Sequence, residues 1–140
     1  MEGLNTSNIP QQKRRIVIVD DSPVSCDYWE DYFNEKFNHV IVETYLNPLK
    51  VIDNLNKDIF FLMIDWKMPS IDGKELLQIA KDKGVNSNKI IVISATPAHV
   101  LHENFKLGEC LAVIEKGHES QERALHYILD AFMQKEQSRV

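Results

Sequence analysis

The sequence predicts an α/β protein, a (βα)5 chain whose five parallel strands form one doubly wound sheet with helices on both faces. Two observations carry this expectation. Five short β-branched apolar runs alternate with longer amphipathic segments, the rhythm of successive βαβ units. The runs are also continuously apolar rather than alternating with polar residues, as suits strands covered by helices on both sides. Right-handed crossovers are expected between them.

The first run, Ile16-Val17-Ile18-Val19, follows the basic triplet Lys13-Arg14-Arg15, read as a solvated strand entrance. Ser22 followed by Pro23 is an N-cap with proline at the first helical position, and Asn47-Pro48 repeats that arrangement after the second run, Val40-Ile41-Val42. The first helix is expected to bury Trp29, Phe33 and Phe37 together with Tyr28 and Tyr32, an aromatic stripe of the core type. The third run, Ile59 to Ile64, leads to a helix starting near Gly73, where Asp72 and Glu75 have capping-box spacing. The fourth, Ile90-Ile91-Val92-Ile93, leads to a helix near Pro97, and the fifth, Leu111-Ala112-Val113-Ile114, to one near Glu119. Residues 1–12 are expected to form a loose tail, 13–135 the domain, and 136–140 a frayed end.

With 140 residues, 44% hydrophobic and 26% charged, the chain suits one globular domain with its own core. A net charge of −5 is the wrong sign for a sequence-independent nucleic-acid binder. No stretch approaches the roughly 20 apolar residues that cross a bilayer, so no membrane insertion is expected. The polar N-terminus lacks the pattern of a secretion signal, and a cytoplasmic protein is expected. Cys26 and Cys110 make neither a disulfide framework nor a paired metal knuckle and are read as reduced core thiols.

In an open parallel sheet ligands bind beyond the carboxyl ends of the strands, so the residues that close each apolar run matter most. The first run ends in Asp20-Asp21, the third in Asp65, the fourth in Ser94 and the fifth in Glu115-Lys116. Adjacent carboxylates after the first strand would repel a bare phosphate, which argues against a glycine-rich nucleotide or flavin cradle there. They suit a hard, oxygen-seeking cation such as magnesium. A cation beside Asp65 would keep it ionised as a nucleophile toward a phosphoryl group, with Lys116 as a fixed positive charge and the Ser94 hydroxyl as a donor to a phosphoryl oxygen. Each acidic residue alone is also explained as a solvated turn or cap, but the ordered set on one rim reads as a metal-assisted phosphoryl-acceptor site.

The chain resembles the CheY-like receiver domain of two-component response regulators from about Arg14 to Met133, on four motifs in order. They are Ile16-Val17-Ile18-Val19-Asp20-Asp21-Ser22, Leu62-Met63-Ile64-Asp65-Trp66-Lys67-Met68-Pro69 with Asp72-Gly73, Ile93-Ser94-Ala95, and Ile114-Glu115-Lys116. The resemblance implies a flavodoxin-like fold. It implies that Asp65 accepts a phosphoryl group from a phosphohistidine of a sensor histidine kinase or histidine phosphotransfer protein. Magnesium would be held by Asp20, Asp21, Asp65 and the backbone carbonyl of Lys67, while Ser94 and Lys116 would bind the phosphoryl oxygens. A stand-alone switch rather than an enzyme is expected, with intrinsic autophosphorylation and autodephosphorylation chemistry, monomeric or weakly dimeric. The signal would pass to a downstream protein through a face including His99, Glu103, Lys106, Val113 and Arg123.

The chain departs from the family pattern in three respects. Val113 stands where an aromatic switch residue is usual, Gly117 where a proline is usual, and Lys67 and Thr96 occupy the positions that flank the pocket and tune acyl-phosphate lifetime; Trp66, next to Asp65, is read as partial cover of that pocket. Val113 and Gly117 suggest a second reading, a receiver-like interaction module that works without phosphorylation. A third, an Asp-nucleophile phosphohydrolase of small phosphates, typically needs an acid two residues after the nucleophile, where this chain has Lys67. A flavin carrier shares the architecture but meets Asp20-Asp21 where its phosphate would lie. His99 and His102, three apart on one helix, are read as a solvated face rather than a metal pair. Cys26 has nothing beside it in sequence that would lower a thiol pKa.

Overall fold

A computed structural model describes residues 13–137. The expected tail, 1–12, and the last residues, 138–140, lie outside the described residues. The elements in chain order are β1 (Arg14–Val19), α1 (Pro23–Lys36), β2 (Val40–Tyr45), α2 (Pro48–Val51), β3 (Ile59–Asp65), α3 (Gly73–Asp82), β4 (Ile90–Ser94), α4 (Ala98–Asn104), β5 (Ala112–Glu115) and α5 (Glu119–Gln137). Short 3-10 turns extend α2 over Ile52–Asn54 and precede β4 over Ser87–Lys89. The five strands form one parallel sheet in the order β2-β1-β3-β4-β5.

Alternate side chains of the central strands point to opposite faces, and each face has its own helical layer. Ile16, Ile18, Phe61, Met63, Ile91 and Ile93 pack against Trp29 and Phe33 of α1 and Leu125 and Leu129 of α5. Val17, Val19, Leu62, Ile64 and Val92 pack against Val51, Leu76, Leu77, Ala80 and Leu101 of α2, α3 and α4. Because both faces are covered, β1 and β3 are buried almost throughout, which is why their sequences carry no polar alternation.

The expected caps form. The Ser22 hydroxyl accepts from the Ser25 N–H, the Asn47 side chain from Leu49 N–H, and Asp72 and Glu75 close a reciprocal capping box. Gly73, the first residue of α3, allows that helix to start flush against the end of β3. A Cβ there would lie 2.5 Å from the Asp65 carbonyl oxygen and 2.7 Å from the Trp66 Cα.

Three expectations need correcting. The second run is not a doubly covered strand, because β2 is the sheet edge and Ile41 is exposed there. The stripe on α1 buries Trp29 and Phe33 and half-buries Tyr32 and Phe37, but Tyr28 stands one position off the buried row formed with Cys26 and is half exposed. Cys110 is a partly exposed thiol before β5, whereas Cys26 is a core residue. Among the described residues no helix is long and apolar enough to cross a membrane.

Candidate functional site

Parallel pairing brings the carboxyl ends of the strands to one edge of the sheet. Asp20 follows β1 and is fully buried, its backbone N–H donating to Tyr45 O at 3.0 Å and its Oδ1 accepting from Ser22 N–H at 2.9 Å. Asp21 is exposed, and Asp65, the last residue of β3, is buried. One oxygen from each of these three carboxylates can be chosen so that all lie within 4.8 Å of one another. Among the described residues this is the only group of three or more acidic, histidine or cysteine side chains with such spacing, and His99 and His102 form none.

Lys116 follows β5 and is fixed by its backbone N–H, which donates to Ser94 O at 2.7 Å. Its ammonium donates to Asp20 Oδ2 at 2.6 Å and lies 3.7 Å from Asp65 Oδ2 and 3.5 Å from Ser25 Oγ. The two buried carboxylates thus share one ammonium, with Asp21 beside them. Burial, then the charge of Asp20, push the Asp65 carboxyl up to about 7 against the pull of Lys116, and Asp21 adds to the rise. The cluster is short of positive charge, and its donors are oxygen only, without thiol or imidazole. That donor set fits a hard divalent cation such as magnesium and does not fit a soft metal.

Ser94 ends β4 and is buried, its hydroxyl engaged within its own loop, 3.0 Å from Thr96 Oγ1 and accepting from Thr96 N–H at 3.1 Å. Lys67 lies in the loop between β3 and α3, and its ammonium sits 3.8 Å from the centroid of the Trp66 ring. Trp66 itself is a core residue that meets Phe105 edge-on. Val113, half-buried, packs on the α2–α4 side. Gly117 adopts φ +76°, a backbone region suited to glycine, and its N–H donates to Glu122 Oε2 at 2.8 Å. His99, Glu103, Lys106 and Arg123 are exposed.

One residue of the rim serves a purpose that its neighbours in sequence do not suggest. Glu115 turns away from the carboxylate cluster and accepts from the Ala98 N–H at 2.9 Å. Pro97, at the cap position of α4, offers no side-chain acceptor, so the first turn of that helix takes a carboxylate from β5 instead. No local capping signal marks this, because donor and acceptor are 17 residues apart.

Residues 16–130 match the family model described as the response regulator receiver domain. Among solved structures, the response regulator domain of Thermotoga maritima CheB superposes with a TM-score of 0.66 at 17% identity, over 88% of this chain and 96% of that one. TrrA from Thermotoga maritima, in complex with Mg2+ and BeF, gives 0.64 at 24% identity over 85% and 98%. A chain of the CheX–CheY–BeF3–Mg2+ complex from Borrelia burgdorferi gives 0.66 at 22% identity over 93% and 96%. A comparison with curated proteins found no match.

Proposed function

The chain belongs to the receiver domains of two-component response regulators, and from that premise we propose that it is a phosphorylation switch whose acceptor is Asp65. The observation that carries this reading is the convergence of Asp20, Asp21 and Asp65 within 4.8 Å, with the Lys116 ammonium reaching both buried carboxylates. Asp20, Asp21 and Asp65, with the backbone carbonyl of Lys67, would hold magnesium. When bound, the ion supplies positive charge that shields the carboxylates and the transferring group from one another.

In the proposed transfer an Asp65 Oδ attacks phosphorus in line with the P–N bond of a phosphohistidine. The P–O bond forms, the P–N bond breaks, and the imidazole nitrogen leaves with the electron pair and takes up a proton. Lys116 supplies a cation to the phosphoryl oxygens, and Ser94 turns its hydroxyl from Thr96 toward them. Most of the catalysis comes from position and charge. The donor is a sensor histidine kinase or histidine phosphotransfer protein, and the output is altered binding of a protein to the face near α4 and β5, a shift between pre-existing arrangements. The chain acts as a switch rather than as an enzyme with turnover on a separate substrate.

The test is incubation with acetyl phosphate and magnesium, followed by intact mass. The wild type gains one phosphoryl group, whereas Asp65→Asn and a magnesium-free sample gain none. Because acyl phosphates hydrolyse, a beryllofluoride titration read by Trp66 fluorescence accompanies it. Absence of any Asp65-dependent response in both experiments would overturn the reading.

A further inference from the structure

Trp66, the residue after Asp65, meets Phe105 at the border of a groove beyond α4. The backbone of Trp66 is held on both sides, its N–H donating to Ile93 O at 3.0 Å and its carbonyl accepting from Gly73 N–H at 2.7 Å. The indole is therefore the part of this residue left to respond to events at Asp65. It meets the Phe105 ring at 5.2 Å between centroids and 79° between planes. Phe105 closes α4, its N–H bonded to Leu101 O at 2.9 Å, and borders a groove of about 460 Å³ with Cys110, Leu111, Val113 and Ile128. Val113 is aliphatic, so the ring that touches both the acceptor's neighbour and the groove is that of Phe105.

The geometry points to Phe105 as a positioning residue through which Trp66 couples the phosphorylation state of Asp65 to the shape of the α4–β5 groove; this rests on the reading of Asp65 as acceptor. A phosphoryl group places close to two negative charges beside Trp66. The exposed Lys67 ammonium, held on the indole face by a cation–π contact, is drawn toward that charge, and the indole loses the cation that fixes its setting against Phe105. The element that responds is α4, seven residues long, with no side-chain cap of its own and with its first turn dependent on Glu115. A short helix whose first turn leans on a carboxylate from another element, while Phe105 ties down its far end, is a part of this face that can shift between two arrangements.

Cys110 lies in the groove and is partly exposed, while Cys26 is buried, so the chain carries its own reporter. In a Trp29→Phe background Trp66 is the only tryptophan. Magnesium with beryllofluoride is the probe, Trp66 emission reports binding at Asp65, and iodoacetamide alkylation of Cys110, located by mass, reports the groove. Binding is expected to change the alkylation rate by at least about threefold. In Phe105→Leu the emission titration persists but the alkylation rate no longer responds, and Phe105→Tyr, which keeps the ring, restores the response. Circular dichroism checks that each variant is folded. A full alkylation response in folded Phe105→Leu would overturn the proposal, as would no response in the wild type at saturating emission change. Loss of the Asp65-dependent emission titration itself would instead remove the acceptor reading on which the coupling rests.

Discussion

Replacing Asp65 by asparagine should stabilise the magnesium-free protein, and the gain should depend on pH in a defined way. The carboxyl is pushed to about 7 by burial and by Asp20, with Asp21 adding to Lys116-opposed repulsion. In the unfolded chain the same group titrates near about 3.9. Below that value both states hold the proton, and Asp65 contributes no penalty. Between about pH 4 and pH 7 the folded state binds more protons than the unfolded state, so stability falls as pH rises. Above about 7 both states are ionised and the loss is complete. An upward displacement of this size corresponds to at most about 4 kcal/mol. Asparagine keeps the shape and removes the charge, so at pH 8 it should recover about 2–4 kcal/mol, the lower figure allowing for relaxation around Lys116. Urea unfolding in the presence of a chelator measures it, with a midpoint increase of at least about 1 M at pH 8 that shrinks steadily toward pH 4. Saturating magnesium should reverse the ranking at pH 8 by binding the folded wild type more tightly. A variant less stable than wild type at pH 8 without metal, or a gain unchanged from pH 4 to pH 8, would refute the charge-repulsion account.

Three other outcomes follow from the packing. Gly73→Ala should destabilise by about 3 kcal/mol in urea unfolding, because its Cβ would overlap the backbone of Asp65 and Trp66, neither of which is a flexible side-chain tip. Glu43→Gln should cost about 1 kcal/mol, since Glu43 accepts from Arg15 Nε at 2.7 Å and Nη2 at 2.9 Å in a partly buried pair. Arg15 holds the Glu43 carboxyl below its ordinary value, so this contribution is complete above about pH 4.5 and is lost as pH falls through the depressed value, a trend that urea unfolding from pH 7 to pH 3 checks. Native alkylation at pH 8 should modify Cys110 well before Cys26, whose thiol burial pushes up to about 11; equal rates measured by mass would contradict the core placement of Cys26.

Much of this architecture is written locally. Ser22-Pro23, Asn47-Pro48 and the Asp72, Glu75 pair announce helix starts within a few residues, and continuous apolar runs announce doubly covered strands. The rim is also legible, because a parallel sheet places Asp20, Asp65, Ser94 and Lys116 on the same edge whatever the order of strands. The order itself is not local. Ile41 reads like the interior of a strand but faces solvent, because only long-range pairing decides that β2 is an edge. Sequence likewise gives Glu115 to the rim, whereas alternation along β5 sets it on the same face as Val113, toward the first turn of α4. Trp66 follows Asp65 and reads as flanking a pocket, yet the helix end that covers its ring, at Phe105, lies some 40 residues away in sequence.

Lys116 grips the two buried carboxylates unequally, 2.6 Å from Asp20 and 3.7 Å from Asp65. While the lysine is the only cation present, it spends itself on Asp20 and leaves the second carboxylate underserved. A divalent cation settling among Asp20, Asp21 and Asp65 would repel the ammonium and take over its task. The lysine would then be at liberty to follow a further negative charge on Asp65. If Asp65 is the acceptor, as proposed, metal first and phosphoryl second would be the downhill sequence, since the reverse would leave one ammonium facing both Asp20 and the phosphoryl group.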